Sequence, residues 1–144
     1  MTKSADPAAA AMTRKPPAEI QTLIDTHIKA FNAQDRNLFA SVFGDTAVII
    51  DGIAPYRWLN PDAPAHWLDD CEKWRKTTGV TEERVTYKMG FWNVEGNHAY
   101  AVISGTLTIT VKGQTVARTG TLAYTFAKHN DRWKIEAQAW GRTS

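Results

Sequence analysis

The second half of the chain alternates between apolar and polar residues almost continuously, and this pattern constrains the fold more than any other feature. From Thr81 onward, four long alternating runs are separated by short turn sequences at residues 95–97, 112–114 and 129–132. Alternation with a period of two is typical of strands with one buried face, and short turns join strands that lie antiparallel. The sequence therefore predicts a meander of four long strands.

The first half of the chain has helical periodicity instead. Apolar residues recur at the spacing of one helix face from Ala18 to about residue 31, and one histidine lies among them. Asp35 is a good N-cap for a second helix, which we expect to include Phe43 before residues 44–45 end it. The residues on the face of the first helix are Ile20, Leu23, Ile24, His27, Ile28 and Phe31.

A short strand and a third helix are predicted between these two halves. Residues 46–51 predict a strand that Asp51 closes, and residues 52–58 predict a loop. Because prolines are tolerated in a first helical turn, residues 60–64 predict the start of a helix, which Gly79 ends as a C-cap. We expect the buried face of this helix to carry Trp67, Leu68, Cys71 and Trp74.

The resulting order, α-α-β-α-β-β-β-β, predicts an α+β domain with its helices on one face of an antiparallel sheet. Gly90, Gly105 and Gly120 lie within strands and predict bends or bulges in a strongly curved sheet. A chain of 144 residues is long enough for one core, so we expect a single domain over residues 18–144. Residues 1–17 are expected to form a flexible tail.

Composition excludes several classes of function. The formal net charge is only +2 and the basic residues are scattered, so no nucleic-acid partner is expected. No apolar stretch approaches the roughly 20 residues of a membrane span, and Cys71 is the only cysteine, so we expect neither a membrane segment nor a disulfide. Residues 1–17 lack the apolar core of a secretory signal. These features predict a cytoplasmic protein.

Two polar residues, His27 and Asp51, lie in segments that otherwise have the pattern of core. Burying a neutral polar group without a hydrogen bond costs about 2–7 kcal/mol, so each requires an explanation. Asp51 either caps the turn that begins at Gly52, or is a base whose pKa is raised by burial. His27 is either a core histidine bonded to a backbone carbonyl or a tyrosine, or a proton donor in a pocket.

Specific sequence features resemble a known superfamily. The first helix ends in AFNAQD, the second leads into FGDTAVIID, and a helix with tryptophans precedes four long strands. Over about residues 18–142 this arrangement resembles the nuclear-transport-factor-2-like superfamily, and within it the SnoaL-like and ketosteroid-isomerase-like proteins. The resemblance implies a cone-shaped, strongly curved antiparallel (mixed) sheet whose concave face packs against three helices around an apolar pocket. It implies no particular substrate, because this scaffold hosts many functions.

The resemblance also implies roles for His27 and Asp51. Counted from Asn32 and Asp35, His27 takes the position of the tyrosine that donates to the oxyanion in ketosteroid isomerases, and Asp51 takes that of their general base. The second oxyanion donor falls at Leu122, which cannot donate, and such a loss costs about 2.7–4 kcal/mol of barrier. Since the family's dehydratases pair a histidine with an aspartate, we expect isomerisation, cyclisation or dehydration by proton abstraction next to a carbonyl. No cofactor or metal is expected.

The same scaffold predicts further ligand contacts. Its pocket mouth follows the first strand, where Tyr56, Arg57 and Trp58 are expected either to bind an acidic or aromatic ligand or to pack at the surface. The broad sheet predicts a homodimer. We also expect the cavity to bind a small hydrophobic or aromatic ligand. The alternative is a non-catalytic module that binds a ligand or a partner chain. Further candidate contacts are Trp67, Trp92, Tyr124 and Trp140, of which the last three alternatively belong to the dimer interface.

Overall fold

The computed structural model describes residues 15–144, so residues 1–14 of the predicted tail lie outside the described residues. The predicted meander and the predicted helices are present. In chain order the elements are α1 Ala18–Ala33, α2 Arg36–Ser41, β1 Phe43–Ile50, β2 Arg57–Leu59, α3 Ala63–Thr78, β3 Val80–Glu95, β4 His98–Val111, β5 Gln114–His129 and β6 Arg132–Arg142.

The region between α2 and α3 differs from the prediction in two ways. Phe43 begins β1 instead of extending α2, because it pairs with Ile135 of β6. The predicted loop contains the short strand β2, in which Trp58 pairs with Ile49. A strand of three residues is too short to show an alternating pattern, so no local pattern predicts it. Asp51 consequently follows the end of β1, at the start of the loop to β2.

The six strands form one sheet in the order β2-β1-β6-β5-β4-β3. The pairing of β1 with β6 is parallel and all other pairings are antiparallel, so the sheet is mixed. Strands β3 to β6 form the predicted meander. Lys112 and Gly113 join β4 to β5 with φ angles of 51° and 79°. A two-residue type I′ hairpin turn requires a positive φ at both of its central residues.

The three glycines within strands have different functions in the sheet. Gly90 lies at the predicted bulge, between Met89 and Phe91, where the register of β3 against β4 shifts. Gly105 and Gly120 are not at bulges, because they pair directly with each other in unbroken register. A Cβ atom on Gly120 would lie 2.7 Å from the ring of Trp140. These two glycines therefore make room for the Trp140 ring on the sheet.

The helices pack on the concave face of the sheet, as predicted. The buried face of α1 consists of Ile20, Ile24, His27, Ile28 and Ala30. Its far end is tied to β3 by Asn32, whose side-chain amide exchanges hydrogen bonds of 2.9 and 2.7 Å with the backbone of Val85. Among residues 15–144, no helix has the length and apolar character needed to cross a membrane.

The predicted helix caps and the buried cysteine are present. The Asp35 carboxylate accepts a hydrogen bond of 3.1 Å from the Leu38 N–H at the start of α2. Gly79 ends α3 with a φ of 79°, a left-handed conformation that glycine adopts without steric cost. Cys71 is buried within the core, and burial raises the pKa of its thiol, so it behaves as an apolar core residue.

Candidate active site

A cavity of about 360 Å³ lies between α1, α3 and the concave face of the sheet. Its wall is apolar and aromatic over most of its extent, with a small number of polar groups. A pocket of this size and composition is typical of a site for a small organic molecule. The polar side chains on the wall are His27, Asp51, Glu83, Arg118, Gln138 and Arg142, and the aromatic ones are Phe31, Trp67, Trp74 and Trp140.

The Asp51 carboxylate is held at the cavity by two hydrogen bonds. Its Oδ1 accepts a bond of 2.6 Å from the backbone N–H of Gly52, and its Oδ2 accepts one of 2.9 Å from the indole N–H of Trp67. Burial raises the pKa of Asp51, and these two hydrogen bonds oppose that rise because they stabilise the carboxylate. Asp51 therefore caps its own turn and also presents a carboxylate of raised pKa to the cavity.

His27 is buried at the inner end of the cavity and has one hydrogen-bond partner among residues 15–144. Its Nδ1 lies 2.8 Å from the hydroxyl oxygen of Tyr124, whereas its Nε2 is buried without a partner. Burial lowers the pKa of His27 to about 3, so the imidazole is neutral at physiological pH. Burial also raises the pKa of Tyr124, which keeps its hydroxyl protonated.

These protonation states are compatible with either tautomer of His27. We infer that the Tyr124 hydroxyl donates to Nδ1, because Nδ1 is its hydrogen-bond partner among the described residues and the hydroxyl proton would otherwise be buried without an acceptor. The one ring proton of the neutral imidazole then lies on Nε2, which is the nitrogen without a partner. His27 therefore lines the cavity while its Nε2 is buried without a partner, and burying such a group unpaired is costly.

Aromatic contacts connect the Asp51 and His27 positions. Trp67, which donates to Asp51, stacks on Phe39 with ring centroids 5.3 Å apart. Phe39 in turn contacts the His27 ring at a centroid distance of 4.9 Å. The rings of Phe39 and His27 are both buried. One packed aromatic cluster therefore positions both His27 and Asp51.

The other predicted ligand contacts fall into two groups. Trp67 and Trp140 lie on the cavity wall, as does Leu122, the position at which the resemblance implies a second donor. The remaining five do not line the cavity. Tyr56 and Arg57 are exposed, Trp58 donates to Asp70 at 2.8 Å, Trp92 is buried in the core, and Tyr124 lies behind His27.

Two irregularities in the strands determine the faces of the sheet on which Trp92 and Gln138 lie. The register of β3 shifts at Gly90, so Trp92 is buried where unbroken alternation predicts exposure. The register between β5 and β6 shifts after Ile135, and Gln138 then lies on the buried face with only 3% of its surface exposed. A one-residue shift moves every later side chain to the opposite face. Gly90 marks the first shift, whereas no glycine marks the second.

Four polar residues of the cavity were not predicted at all. Glu83 is one, and it forms an ion pair with Arg75 of α3 at 2.8 Å. Burial raises the pKa of Glu83, while the hydrogen bond and charge of Arg75 oppose that rise. Gln138, Arg118 and Arg142 are the others, and they come from adjacent strands near the end of the chain. No cluster of three or more metal-ligating side chains occurs among residues 15–144.

No protein-family model and no curated protein matches this sequence. Solved structures with the same fold are nevertheless found. A ketosteroid isomerase-like protein from Erwinia carotovora atroseptica is 15% identical, with a TM-score of 0.74 over 88% of this chain and 95% of that one. A hexachlorocyclohexane dehydrochlorinase, LinA type 2, is 14% identical, with a TM-score of 0.72 over 88% of this chain and 84% of that one.

A third structure is a protein with a cystatin-like fold from Caulobacter vibrioides. It is 14% identical, with a TM-score of 0.69 over 88% of each chain. The element order, the curved mixed sheet and these neighbours agree with one another. The chain therefore has the cone-shaped α+β fold of the nuclear-transport-factor-2-like superfamily, with ketosteroid isomerase-like proteins among its structural neighbours, as the resemblance in sequence implies.

Proposed function

We propose that this protein is a cofactor-independent isomerase, cyclase or dehydratase that abstracts a proton next to a carbonyl of a small apolar substrate. Asp51 is the general base and His27 is the donor to the oxygen. One observation carries the proposal: a single cavity of about 360 Å³ is lined both by Asp51, a carboxylate of raised pKa, and by His27, whose buried Nε2 has no hydrogen-bond partner among residues 15–144. This chemistry requires a general base and a hydrogen-bond donor whose pKa values differ.

The reaction begins when the Asp51 carboxylate takes a proton from the carbon next to the substrate carbonyl. The electron pair of the broken C–H bond moves into the carbonyl, which becomes an enolate. The neutral imidazole of His27 donates a hydrogen bond from Nε2 to the developing oxyanion, and Tyr124 holds the ring in the required tautomer. In an isomerisation, the enolate takes the proton back from Asp51 at another, conjugated carbon. In a cyclisation, it attacks a second carbonyl of the substrate, and the alkoxide that forms takes the proton from Asp51. In a dehydration, it expels a hydroxyl group from the neighbouring carbon, which takes the proton from Asp51 and leaves as water.

Gln138 supports this assignment because it offers a second donor. It pairs with Tyr124 in the register of β5 and β6, so its side chain neighbours the hydroxyl that orients His27. Its amide carries two N–H donors, and the side chain is buried on the cavity wall. Leu122 leaves the donor position of ketosteroid isomerases empty, and the Gln138 amide supplies a donor from the neighbouring strand instead.

The experiment follows exchange of the α-protons of 2-tetralone for deuterium in D2O by proton NMR. This reaction requires only proton abstraction next to a carbonyl, so it does not depend on knowing the natural substrate. We expect the wild-type protein to accelerate exchange and Asp51→Asn to lower the rate by about 100-fold or more, the usual contribution of a general base. The matched control is Asp45→Asn, which makes the same change at an exposed position.

Equal rates for wild type and Asp51→Asn, with both proteins folded, would exclude Asp51 as the base. The second candidate function would then apply, namely a cavity that binds a ligand without turning it over. The hydrogen bonds of Asp51 to Gly52 and of His27 to Tyr124 favour that candidate, since both also serve the fold. Binding of 2-tetralone without exchange, measured as quenching of the cavity tryptophans, would identify it.

We also propose that the protein is a homodimer. The exposed side chain of Tyr100 contacts Phe91 on the sheet with ring centroids 6.0 Å apart, and together they present aromatic surface to solvent. Exposed aromatic surface of this kind is typical of a contact between protein chains. Light scattering coupled to gel filtration should give twice the mass of the chain, and Tyr100→Lys should shift the protein toward the monomer. A monomeric wild type at micromolar concentration would contradict this proposal.

A further inference from the structure

The two arginines on the cavity wall lie next to each other at its more exposed end. On β5, Arg118 pairs with Leu107 of β4, whereas Arg142 of β6 pairs with Gly120, two residues further along β5. The two arginines are therefore diagonal neighbours on one face of the sheet, with Cα atoms roughly 7–8 Å apart. Between them, Gly120 has no side chain of its own, and the Trp140 ring packs against it. Arg142 is exposed and Arg118 is half-buried, while His27 and Gln138 are buried at the inner end.

Neither arginine has a side-chain carboxylate as a partner among residues 15–144. Arg142 donates from Nε to the backbone oxygen of Ser144, and the Nε of Arg118 is buried without a hydrogen-bond partner. Guanidinium groups stay charged in proteins, so leaving a buried donor of one unpaired is costly. The two adjacent guanidinium groups therefore share one hydrogen bond to a backbone oxygen and, among the described residues, form no ion pair with an acidic side chain.

The acidic groups of the same cavity are already engaged. Glu83 is paired with Arg75 at 2.8 Å, and both oxygens of Asp51 accept hydrogen bonds from Trp67 and Gly52. Neither of these carboxylates forms an ion pair with Arg118 or Arg142. The Trp140 ring, two residues before Arg142 in the chain, packs against Gly120 and provides an apolar surface next to the two charges.

We propose that Arg118 and Arg142 bind the carboxylate of the ligand, so that this cavity selects small apolar or aromatic carboxylic acids over their neutral analogues. The forked guanidinium group matches the two oxygens of a carboxylate, and a pair of such groups fixes its position. The body of the ligand then packs on Trp140 and extends toward Asp51. The inference deepens the proposed function by adding a substrate class, and it rests on that function only in treating the cavity as the ligand site.

The test compares two ligands of the same shape, 2-naphthoate and 2-naphthamide, by isothermal titration calorimetry. The wild-type protein should bind the carboxylate at least about tenfold more tightly, the usual effect of a charge-assisted hydrogen bond. Arg118→Gln and Arg142→Gln should each reduce this preference severalfold, and the double variant should remove it while leaving the affinity for the amide within about twofold. Arg118→Lys keeps the charge without the fork and should give an intermediate preference.

Arg132→Gln is the matched control, because it removes the same charge at an exposed turn position and should leave the preference unchanged. Equal binding of the two ligands by the wild type, binding of neither, or a preference that survives in the folded double variant would overturn the proposal. Turnover is not needed for any of these measurements. A protein that prefers 2-naphthoate but exchanges no protons of 2-tetralone would contradict only the proposed reaction, and the reverse result would contradict only the carboxylate site.

Discussion

Asp51 and His27 line the same cavity, but their surroundings satisfy them to different degrees. Both oxygens of Asp51 accept hydrogen bonds, one from its own turn and one from α3. His27 is bonded through one nitrogen to the sheet, and the other nitrogen is buried without a partner in the described part of the chain. Burial favours the neutral form of both groups, so it raises the pKa of Asp51 and lowers the pKa of His27.

This difference shows how a fold can prepare a base and a donor without a charged pair. The hydrogen bonds to Asp51 limit the rise in its pKa, so the carboxylate remains available as a base near neutral pH. His27 has no such compensation, so it stays neutral and keeps a single N–H donor. An imidazole that is never protonated at physiological pH polarises a carbonyl without giving up its proton.

The largest effect is expected from the pH dependence of stability. The pKa of His27 is 6.5 when unfolded and about 3 when folded, so the unfolded chain binds the extra proton as the pH falls below 6.5. The free energy of unfolding should therefore fall between pH 6.5 and pH 3, by up to roughly 5 kcal/mol, and by about 2 kcal/mol at pH 5. Urea denaturation of wild type and His27→Gln at several pH values measures this contribution as the difference between the two curves.

Asp51 and Glu83 act in the opposite direction, because their raised pKa values favour the folded state as the pH falls. Wild type and His27→Gln both contain Asp51 and Glu83, so the difference between their two curves does not include the contribution of these carboxylates to the free energy of unfolding. His98→Gln is the matched control, since it makes the same substitution at the exposed first residue of β4. If His27→Gln kept the full acid sensitivity of the wild type, the imidazole would not be buried in its neutral form.

A smaller effect is expected from removing the partner of His27. Tyr124→Phe deletes the hydroxyl that donates to Nδ1 and leaves that nitrogen buried without a partner. The free energy of unfolding at pH 7 should fall by about 1–3 kcal/mol. Exchange of 2-tetralone protons should also slow, because the ring proton is no longer held on Nε2. Tyr100→Phe, at an exposed tyrosine, is the control, and equal stability of the two variants would mean that Tyr124 does not position His27.

The sequence predicted the fold well because local patterns determine most of it. The helix face around His27, the N-cap at Asp35 and the alternation of β4 are all visible over a few residues. The nuclear-transport-factor-2-like resemblance then implied the cone, which the topology confirms. The errors were at short elements and element ends, namely β2 and the start of β1.

The cavity was predictable only in part, because its wall is assembled from distant segments. His27 and Asp51 were noticeable since each is a polar residue in an apolar segment. Glu83, Arg118 and Arg142 lie in strands where charged residues are common, so nothing in their neighbourhood distinguished them. The pairing of β5 with β4 and β6 places Arg118 and Arg142 together on the cavity wall. Of the three residues, Glu83 alone has an ion-pair partner on α3, which is Arg75.

The smallest effect on stability is expected from removing a hydrogen bond to Asp51, and this change is also the most specific one. Trp67→Phe keeps an aromatic ring against Phe39 and removes the indole N–H that donates to Asp51 Oδ2. That hydrogen bond lowers the pKa of Asp51, so its loss should raise this pKa further. The rate of 2-tetralone exchange rises with pH as Asp51 ionises, and this rise should move to higher pH in the variant. The free energy of unfolding should fall by only about 1 kcal/mol.

Trp58→Phe is the matched control for this change. Its indole N–H donates to the Asp70 carboxylate at 2.8 Å, so the substitution removes the same kind of bond from a carboxylate that does not line the cavity. The two variants should lose comparable stability, but only Trp67→Phe should shift the pH profile of exchange. A shift of equal size in both variants, or in neither, would mean that the Trp67 hydrogen bond does not tune the base, and that Asp51 is held by its own turn alone.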